Sequence, residues 1–217
     1  MRLKQTGIFE GRVQVRYSYG RFGWTRNGGK TWHGGIDLVA LDDKTIRMPY
    51  YKGKKITGKV TRARIVYNHN DKTWEWGWYV CVQLDANQTP DTVNFLYFCH
   101  CSCLLVSVGQ KVSSGDALAI MGQTGNAANG YDHTHLEARA TATGTGVDPT
   151  EYAGCANAVG IYGTQEVDGP TSDAAASTGK LQVITVGPVS QGDADAILAV
   201  CKERGLTDAG LYKSEWA

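Results

Sequence analysis

Short apolar segments separated by clusters of turn-forming residues recur throughout residues 1–155. Turn signals such as NGGK at Asn27–Lys30 and DANQTPD at Asp85–Asp91 divide these segments. The 27 glycines and 11 tyrosines of the chain agree with a β-rich architecture that has many turns. We therefore predict a single, mainly β domain over residues 1–155. Its predicted strands are Gly11–Tyr17, Ile56–Tyr67, Trp76–Leu84, Val93–Leu105, Leu118–Met121 and His133–Ala140.

The composition changes after this domain. Residues 156–179 are rich in Ala, Gly, Ser and Thr and predict a linker. Leu181–Val189 then predicts a strand, and the apolar spacing in Ser190–Arg204 predicts an amphipathic helix. With a short second strand at Ala209–Tyr212, residues 180–217 are expected to form a small α+β unit. Such a unit is too short for a large core, so its sheet is expected to pack against something else.

The overall charge excludes two classes of partner. The formal net charge is +1, so no global field favours nucleic acid or an anionic membrane. No stretch approaches the roughly 18 apolar residues of a transmembrane helix. The N-terminus lacks the apolar segment of a signal peptide, so we expect synthesis in the cytoplasm without the usual export route. A secreted chain trimmed of its signal would look the same.

Six cysteines occur, and Cys99, Cys101 and Cys103 alternate within one predicted strand. Alternation would place these three side chains on one face of the strand. We interpret the cysteines as reduced, buried small hydrophobic residues, because a chain of this size does not need disulfides. A disulfide or a structural zinc site remains the alternative, although paired zinc-binding cysteines usually lie two to four residues apart.

The segment WHGGID contains a histidine and an aspartate four residues apart, His33 and Asp37. In an extended segment the two side chains share a face. Imidazole nitrogen and carboxylate oxygen are both common zinc ligands. Gly34 and Gly35 between them would let the backbone bend close to an ion.

The segment DHTHLEAR places two histidines, His133 and His135, on one face of a predicted strand. Glu137 continues that face and could orient a neighbouring metal ligand by a hydrogen bond. Taken singly, each of these histidines is more often a hydrogen-bonded structural residue than a ligand. The pattern gains its meaning only from the joint occurrence of the segments.

His100 interrupts a strongly apolar strand. By alternation it points away from the cysteines, together with Phe98 and Ser102, and an imidazole in that position suits a groove wall better than a core. His69 lies in the polar turn YNHND and is interpreted as a surface residue.

Three tryptophans, Trp74, Trp76 and Trp78, also alternate in the sequence. They are expected to share one face, with Tyr79 on the other. Either a groove wall that stacks on glycan or peptide, or an apolar ladder in the core, would explain them.

Four segments in this order resemble the lysostaphin/LytM-type family of peptidoglycan endopeptidases. They are HGGID (His33–Asp37), FCHCSCLLVSVGQKVSSGD (Phe98–Asp116), GQTGN (Gly122–Asn126) and HTHLEAR (His133–Arg139). The resemblance spans about Trp32–Tyr152, and it implies an antiparallel β-sheet groove with a metal on its floor. Departures from the family pattern include Cys101 and Ser102 after the strand histidine, and Asp132 before the final histidine pair.

The resemblance implies a division of roles. His33, Asp37 and His135 correspond to the Zn²⁺ ligands, and His100 and His133 to the two catalytic histidines that do not bind the metal. Three protein ligands would leave one zinc position open, as in catalytic sites. One of the two further histidines would accept a proton from water and the other would stabilise the oxyanion; the residues do not say which.

The function implied is a zinc endopeptidase that acts on bacterial peptidoglycan. A lytic enzyme with a linker and a small C-terminal unit is typical of a phage endolysin that reaches the wall when the host membrane is breached. The C-terminal unit resembles half of a SPOR-like peptidoglycan-binding domain, and homodimerisation through it is the alternative. A secreted host wall hydrolase and a non-catalytic wall-binding or activator protein are the rival interpretations. The bond that is cut stays open.

Overall fold

The computed structural model describes residues 3–167. The predicted C-terminal unit at residues 180–217, Cys201 and most of the predicted linker lie outside the described residues. The first eight strands are β1 Gln5–Thr6, β2 Phe9–Glu10, β3 Val13–Val15, β4 Gly23–Arg26, β5 Thr31–His33, β6 Ile36–Ala40, β7 Thr45–Arg47 and β8 Thr57–Arg64. The next eight are β9 Tyr79–Leu84, β10 Phe95–Cys99, β11 Cys103–Leu104, β12 Lys111–Ser113, β13 Ala117–Ile120, β14 Thr134–Arg139, β15 Gly146–Val147 and β16 Gly160–Tyr162.

Helical structure within residues 3–167 is limited to single turns. The α-helix α1 spans Thr150–Ala153. The 3-10 turns are Ser18–Gly20, Asn27–Gly29, Trp74–Trp76 and Gly125–Ala127. No helix in this part of the chain is long and apolar enough to cross a membrane. The prediction of a mainly β domain is therefore confirmed.

One antiparallel sheet organises the domain. Its strands follow the order β12, β8, β9, β10, β14, β6, β3 and β16, and β15 pairs with the outer part of β14. A smaller sheet of β11, β13 and β7 packs with it, and β4 and β5 form a separate hairpin. Because strands β10, β14 and β6 are adjacent, segments far apart in sequence meet at the centre of the sheet.

The two faces of the central strands bury different side chains, as strand geometry requires. Leu96 and Phe98 of β10 and Leu136 of β14 pack into the main apolar core. On the opposite face, Tyr97 and Cys99 join a second, smaller apolar cluster. The central sheet thus has a fully packed side and a side that carries a mixture of aromatic and polar residues.

The sheet extends further along the chain than predicted. Strand β16 pairs with β3 in register from Gly160 to Tyr162, opposite Val15 to Val13. The predicted linker at residues 156–179 therefore begins too early, because the alternation in the short segment Gly160–Tyr162 was too brief to stand out from its Gly- and Ala-rich surroundings.

The predicted alternation of the three tryptophans is wrong. Trp74 and Trp76 lie in one 3-10 turn before β9, which has no two-residue period. Both pack against the smaller apolar cluster, whereas Trp78 packs against the main core. Between Trp76 and Trp78 the chain changes direction at Gly77, which has a positive φ of 61°.

The three alternating cysteines do not share a face either. Cys99 lies in the smaller cluster, Cys101 lies in the main core, and Cys103 is exposed. The described cysteines are all free thiols, and Cys81 and Cys155 are buried. The interpretation as buried reduced thiols is thus confirmed for four cysteines and wrong for Cys103. The strand break at residue 100, described below, is the physical reason.

Candidate active site

Three of the predicted site residues converge where strands β5, β6 and β14 meet. His33 ends β5, Asp37 lies in β6, and His135 is the direct cross-strand partner of Asp37 in β14. The Nε2 atom of His33 lies 2.9 Å from Nδ1 of His135 and 3.3 Å from Oδ1 of Asp37. The third edge, from His135 Nδ1 to Asp37 Oδ1, is 3.0 Å. The three atoms form a nearly equilateral triangle.

The size of this triangle fits one face of a zinc tetrahedron. Zinc–ligand distances of about 2.0–2.1 Å in tetrahedral geometry separate the ligand atoms by roughly 3.3 Å. The three edges of 2.9, 3.0 and 3.3 Å lie at or slightly below that value. All three residues are buried, and they form a group that could hold a metal ion. The arrangement can therefore accept a tetrahedral ion with little movement.

The glycine pair between His33 and Asp37 makes this convergence sterically possible. The two residues lie on different strands, so they do not share a face of one extended segment as predicted. The chain instead bends between β5 and β6, where Gly35 crosses β14 closely. A Cβ on Gly35 would lie 2.4 Å from the carbonyl oxygen of Leu136 and 2.7 Å from Cε1 of His135.

Hydrogen bonds from outside fix which nitrogen of each histidine faces the triangle. His33 places Nδ1 2.8 Å from the carbonyl oxygen of Arg21, to which it donates. His135 places Nε2 2.8 Å from Oε1 of Glu137. These contacts leave His33 Nε2 and His135 Nδ1 as the atoms that point inward. Glu137 is in turn hydrogen-bonded by Arg139 Nε, at 2.5 Å.

Burial and mutual contact set the charges of this group. Burial alone would raise the pKa of Asp37, but His135 and His33 outweigh it and hold that pKa well below its usual range. Burial alone would lower the pKa of His135, but hydrogen bonds with Asp37 and Glu137 raise it to about 9. A proton on His135 Nδ1 therefore occupies the place where a metal ion would lie.

His100 reaches the site through a backbone turn that the sequence did not predict. It has φ +65°, in the left-handed region, and ends β10 at Cys99. The predicted continuous strand Val93–Leu105 is therefore wrong. So is the predicted separation of His100 from Cys99: the turn swings the imidazole to within 4.8 Å of the His133 ring, on the face that Cys99 also occupies.

His100 and His133 are oriented alike. His100 donates from Nδ1 to the carbonyl oxygen of Thr124 (2.9 Å), and His133 donates from Nδ1 to that of Tyr131 (2.9 Å). Each therefore directs an unprotonated Nε2 towards the groove, and His133 Nε2 lies 3.9 Å from Asp37 Oδ1. Burial lowers the pKa of both residues, to about 3 for His100, where the nearby imidazoles of His135 and His133 further disfavour a positive charge. Both imidazoles are thus neutral at pH 7.

His69 lies away from this group, as the sequence predicts. It is exposed in the turn before Trp74 and stacks on that ring with centroids 4.0 Å apart.

An open groove of about 600 Å³ lies above the converged residues. Its walls include Tyr19 and Trp32 from the β4–β5 side, and Trp76, Asn126 and Tyr131 from the loops opposite. The four histidines, Asp37 and Glu137 line it as well.

The sequence profile of Peptidase family M23 matches residues 32–149, a span that includes all six predicted site residues, Glu137 among them. The chain belongs to peptidase family M23. The match covers more than half of the chain and begins one residue before His33.

Solved structures to which the chain is similar include two catalytic domains from bacteria. The catalytic domain of lysostaphin from Staphylococcus simulans is 22% identical, with 63% of this chain and 89% of that chain covered and a TM-score of 0.44. A single-residue variant of the catalytic domain of the prophage-encoded M23 protein EnpA from Enterococcus faecalis is 21% identical, covering 65% and 92%, with a TM-score of 0.47. A search of curated proteins gave no match.

Several further residues contact the site although the sequence did not single them out. Arg26 contacts His33 and Asp37, and Tyr131 stacks on His133 with centroids 4.6 Å apart. Thr124 supplies the carbonyl that orients His100. Of these three residues, only Thr124 could have been found from the sequence, because it lies in the family-like segment GQTGN. Arg26 ends strand β4 and Tyr131 lies in a loop, and the approach of each to the site depends on tertiary structure.

Proposed function

We propose that this protein is a zinc-dependent endopeptidase that hydrolyses peptide bonds of bacterial peptidoglycan, with zinc held by His33, Asp37 and His135. The observation that carries the proposal is the triangle of inward-facing donor atoms with edges of 2.9 to 3.3 Å. Membership of a peptidase family makes hydrolysis of an amide the chemistry to expect at this triangle.

The donor set supports zinc over other ions. Two imidazole nitrogens and one carboxylate oxygen suit a borderline ion such as zinc, whereas calcium and magnesium prefer oxygen ligands throughout. Glu137 and the Arg21 carbonyl hold the two histidines in the tautomers that metal binding requires. Three protein ligands would leave a fourth zinc position open, as in catalytic zinc sites. When bound, zinc would polarise the scissile carbonyl and make water more acidic.

His100 and His133 are the catalytic residues of the proposal. Both are neutral with an unprotonated Nε2 directed at the groove, so either can accept a proton from the attacking water. The protonated imidazole can then donate to the developing oxyanion or to the leaving amine. Because His133 Nε2 lies 3.9 Å from Asp37 Oδ1, it is placed beside the triangle itself. Their similar orientation leaves the division of roles between them open.

The peptidoglycan substrate rests on the resemblance of the HGGID, GQTGN and HTHLEAR segments to wall endopeptidases, together with family membership. An open groove suits an extended peptide held between glycan strands better than a closed pocket would. Release from a host cell in the manner of a phage endolysin, wall binding or dimerisation by residues 180–217, and secretion by a bacterium remain predictions from the sequence. A non-catalytic wall-binding protein is the second candidate.

Purified protein loaded with one equivalent of zinc should clear a suspension of bacterial walls, and the fragments should carry new amino termini by mass spectrometry. The matched control is His133→Ala, which is expected to keep zinc and lose clearing. Wall binding without new amino termini in the zinc-loaded wild type would favour the non-catalytic candidate. The masses of the fragments identify the bond.

A further inference from the structure

Arg26 contacts two of the three proposed metal ligands. Its Nη2 atom lies 2.9 Å from His33 Nε2 and 2.7 Å from Asp37 Oδ2. The Arg26 side chain is 37% exposed, while that of Asp37 is only 2% exposed. A permanent cation at the mouth of the groove is therefore in direct contact with a buried acceptor pair.

The β4–β5 hairpin aims Arg26 at this position. A register shift between Trp24 and Arg26 interrupts the pairing of the two strands, and such bulges redirect the side chains that follow. Thr25 Oγ1 donates to the Arg21 carbonyl oxygen at 2.6 Å, the same oxygen that accepts from His33 Nδ1. The guanidinium also lies over the Tyr19 ring, 5.6 Å from its centroid. The segment that orients His33 thus orients Arg26 as well.

The two contacts of Arg26 differ in what a bound metal would do to them. His33 donates from Nδ1 to Arg21, so its Nε2 has a single lone pair. The Arg26 guanidinium has N–H donors and no acceptor, so its contact with His33 is a hydrogen bond donated to that lone pair. A metal on His33 uses the same lone pair, so only one of the two can hold it. Asp37 is different, because Arg26 contacts Oδ2 while Oδ1 belongs to the triangle.

From this geometry we infer that Arg26 is an internal cation that competes with the metal for His33 and stays paired with Asp37 when the metal binds. The inference rests on the proposed metal site. Arg26 is thus a positioning residue that satisfies the buried acceptors in the metal-free protein. On metal loading it gives up His33 and turns that donor towards the groove.

Whether removal of Arg26 strengthens or weakens metal binding follows from a comparison of the metal-free and the metal-bound protein. Without metal, removal of Arg26 leaves buried Asp37 Oδ2 short of a donor and leaves His33 Nε2 with His135 Nδ1, at 2.9 Å, in place of its charged partner. Both losses destabilise the metal-free protein. With metal bound, removal affects only the Asp37 contact and takes away a positive charge that repels the ion. Removal of Arg26 therefore destabilises the metal-free protein more than the metal-bound protein. For that reason the Arg26→Met variant should bind zinc more tightly.

The test is the zinc dissociation constant of the full chain, measured by competition with a chelating dye. We expect Arg26→Met to lower it about tenfold, the effect of one charge-assisted hydrogen bond to a partly exposed group. Lys30→Met is the matched control, because Lys30 is an exposed cation in the turn of the same hairpin. Its dissociation constant should stay within about twofold of the wild-type value.

Thermal unfolding of the same proteins gives a second readout that does not depend on the dye. Arg26→Met should melt below the wild type without zinc, and the difference should shrink or vanish when zinc is added. Unchanged or weaker zinc binding by Arg26→Met, with a wild type that binds zinc, would overturn this inference alone. Equal tightening by Lys30→Met would also overturn it. A wild type that binds no zinc would contradict the metal site and the inference together.

Discussion

His135 donates from Nε2 to Oε1 of Glu137, 2.8 Å away and two residues further along the same strand. Both side chains are buried on the groove face of β14, and Arg139 contacts the far oxygen of the carboxylate. This chain of contacts leaves His135 Nδ1 as the atom that faces His33 and Asp37. An acidic residue at position 137 thereby determines which nitrogen is offered to a metal.

Glu137→Gln should weaken zinc binding by roughly 10- to 100-fold, because the neutral amide holds the His135 tautomer less firmly and makes the ring less basic. Chelator competition measures the dissociation constant. The control is Glu75→Gln, since Glu75 is an exposed carboxylate that also lines the groove. Equal zinc affinities for the two variants would contradict the role of Glu137.

Zinc binding should release protons at neutral pH. The folded, metal-free protein holds the pKa of His135 at about 9, above the usual 6.5, so the ring is protonated at pH 7.5. Metal binding requires the neutral ring, and about one proton per zinc should therefore leave. The release should fade as the pH rises through 9, where the ring is already neutral.

Calorimetry in two buffers of different ionisation enthalpy measures that release. Glu137→Gln provides the comparison, because loss of the Glu137 contact removes one of the interactions that raise the pKa of His135. Its proton release at pH 7.5 should be smaller than that of the wild type. No release from the wild type at pH 7.5 would show that the proton does not occupy the metal position.

Substitution of the site histidines should separate metal binding from turnover. His135→Ala is expected to lose zinc, because it removes one corner of the triangle. His100→Ala and His133→Ala are expected to keep zinc and to lose about 100-fold or more in kcat, the usual contribution of a general acid or base. Metal analysis and wall hydrolysis on the same preparations measure both. Retention of zinc by the His135 variant would contradict the ligand assignment.

Thr124→Val should destabilise the loop that orients His100. The Thr124 hydroxyl accepts from the backbone N–H of Trp78 and donates to the carbonyl oxygen of Cys101, both at 2.9 Å. Valine leaves both backbone groups without this partner, at a cost on the order of 2 kcal/mol in the free energy of unfolding. Urea unfolding measures the loss, and Thr124→Ser, which keeps the hydroxyl, should recover most of it. Equal stability of the valine and serine variants would rule out the hydrogen bonds as the cause.

Period-two patterns predicted the long central strands well because those strands bury one face in the main core. Tyr79–Leu84 and Thr134–Arg139 lie inside the predicted segments, with their alternate residues on opposite sides of the sheet. His135 and Glu137 therefore came out on the same face from the sequence alone. Where the backbone leaves the extended region, the same reasoning failed.

His100 shows how that failure arises. Alternation placed it opposite Cys99, but its left-handed φ of +65° reverses the direction of the side chain and ends the strand. Nothing in the letters CHCSC indicates such a turn at a non-glycine residue. The contact of Arg26 with His33 was missed for a related reason, since a bulge in a short hairpin redirects it.

The most direct test of the account is a zinc titration of the metal-free protein in which bound zinc and wall hydrolysis are followed in the same sample. The account predicts that hydrolysis is absent without metal, rises in proportion to zinc bound at the triangle, and levels off at one zinc per chain. Hydrolysis that persists after complete removal of zinc, or one tightly bound zinc per chain with no hydrolysis of any wall preparation, would contradict it.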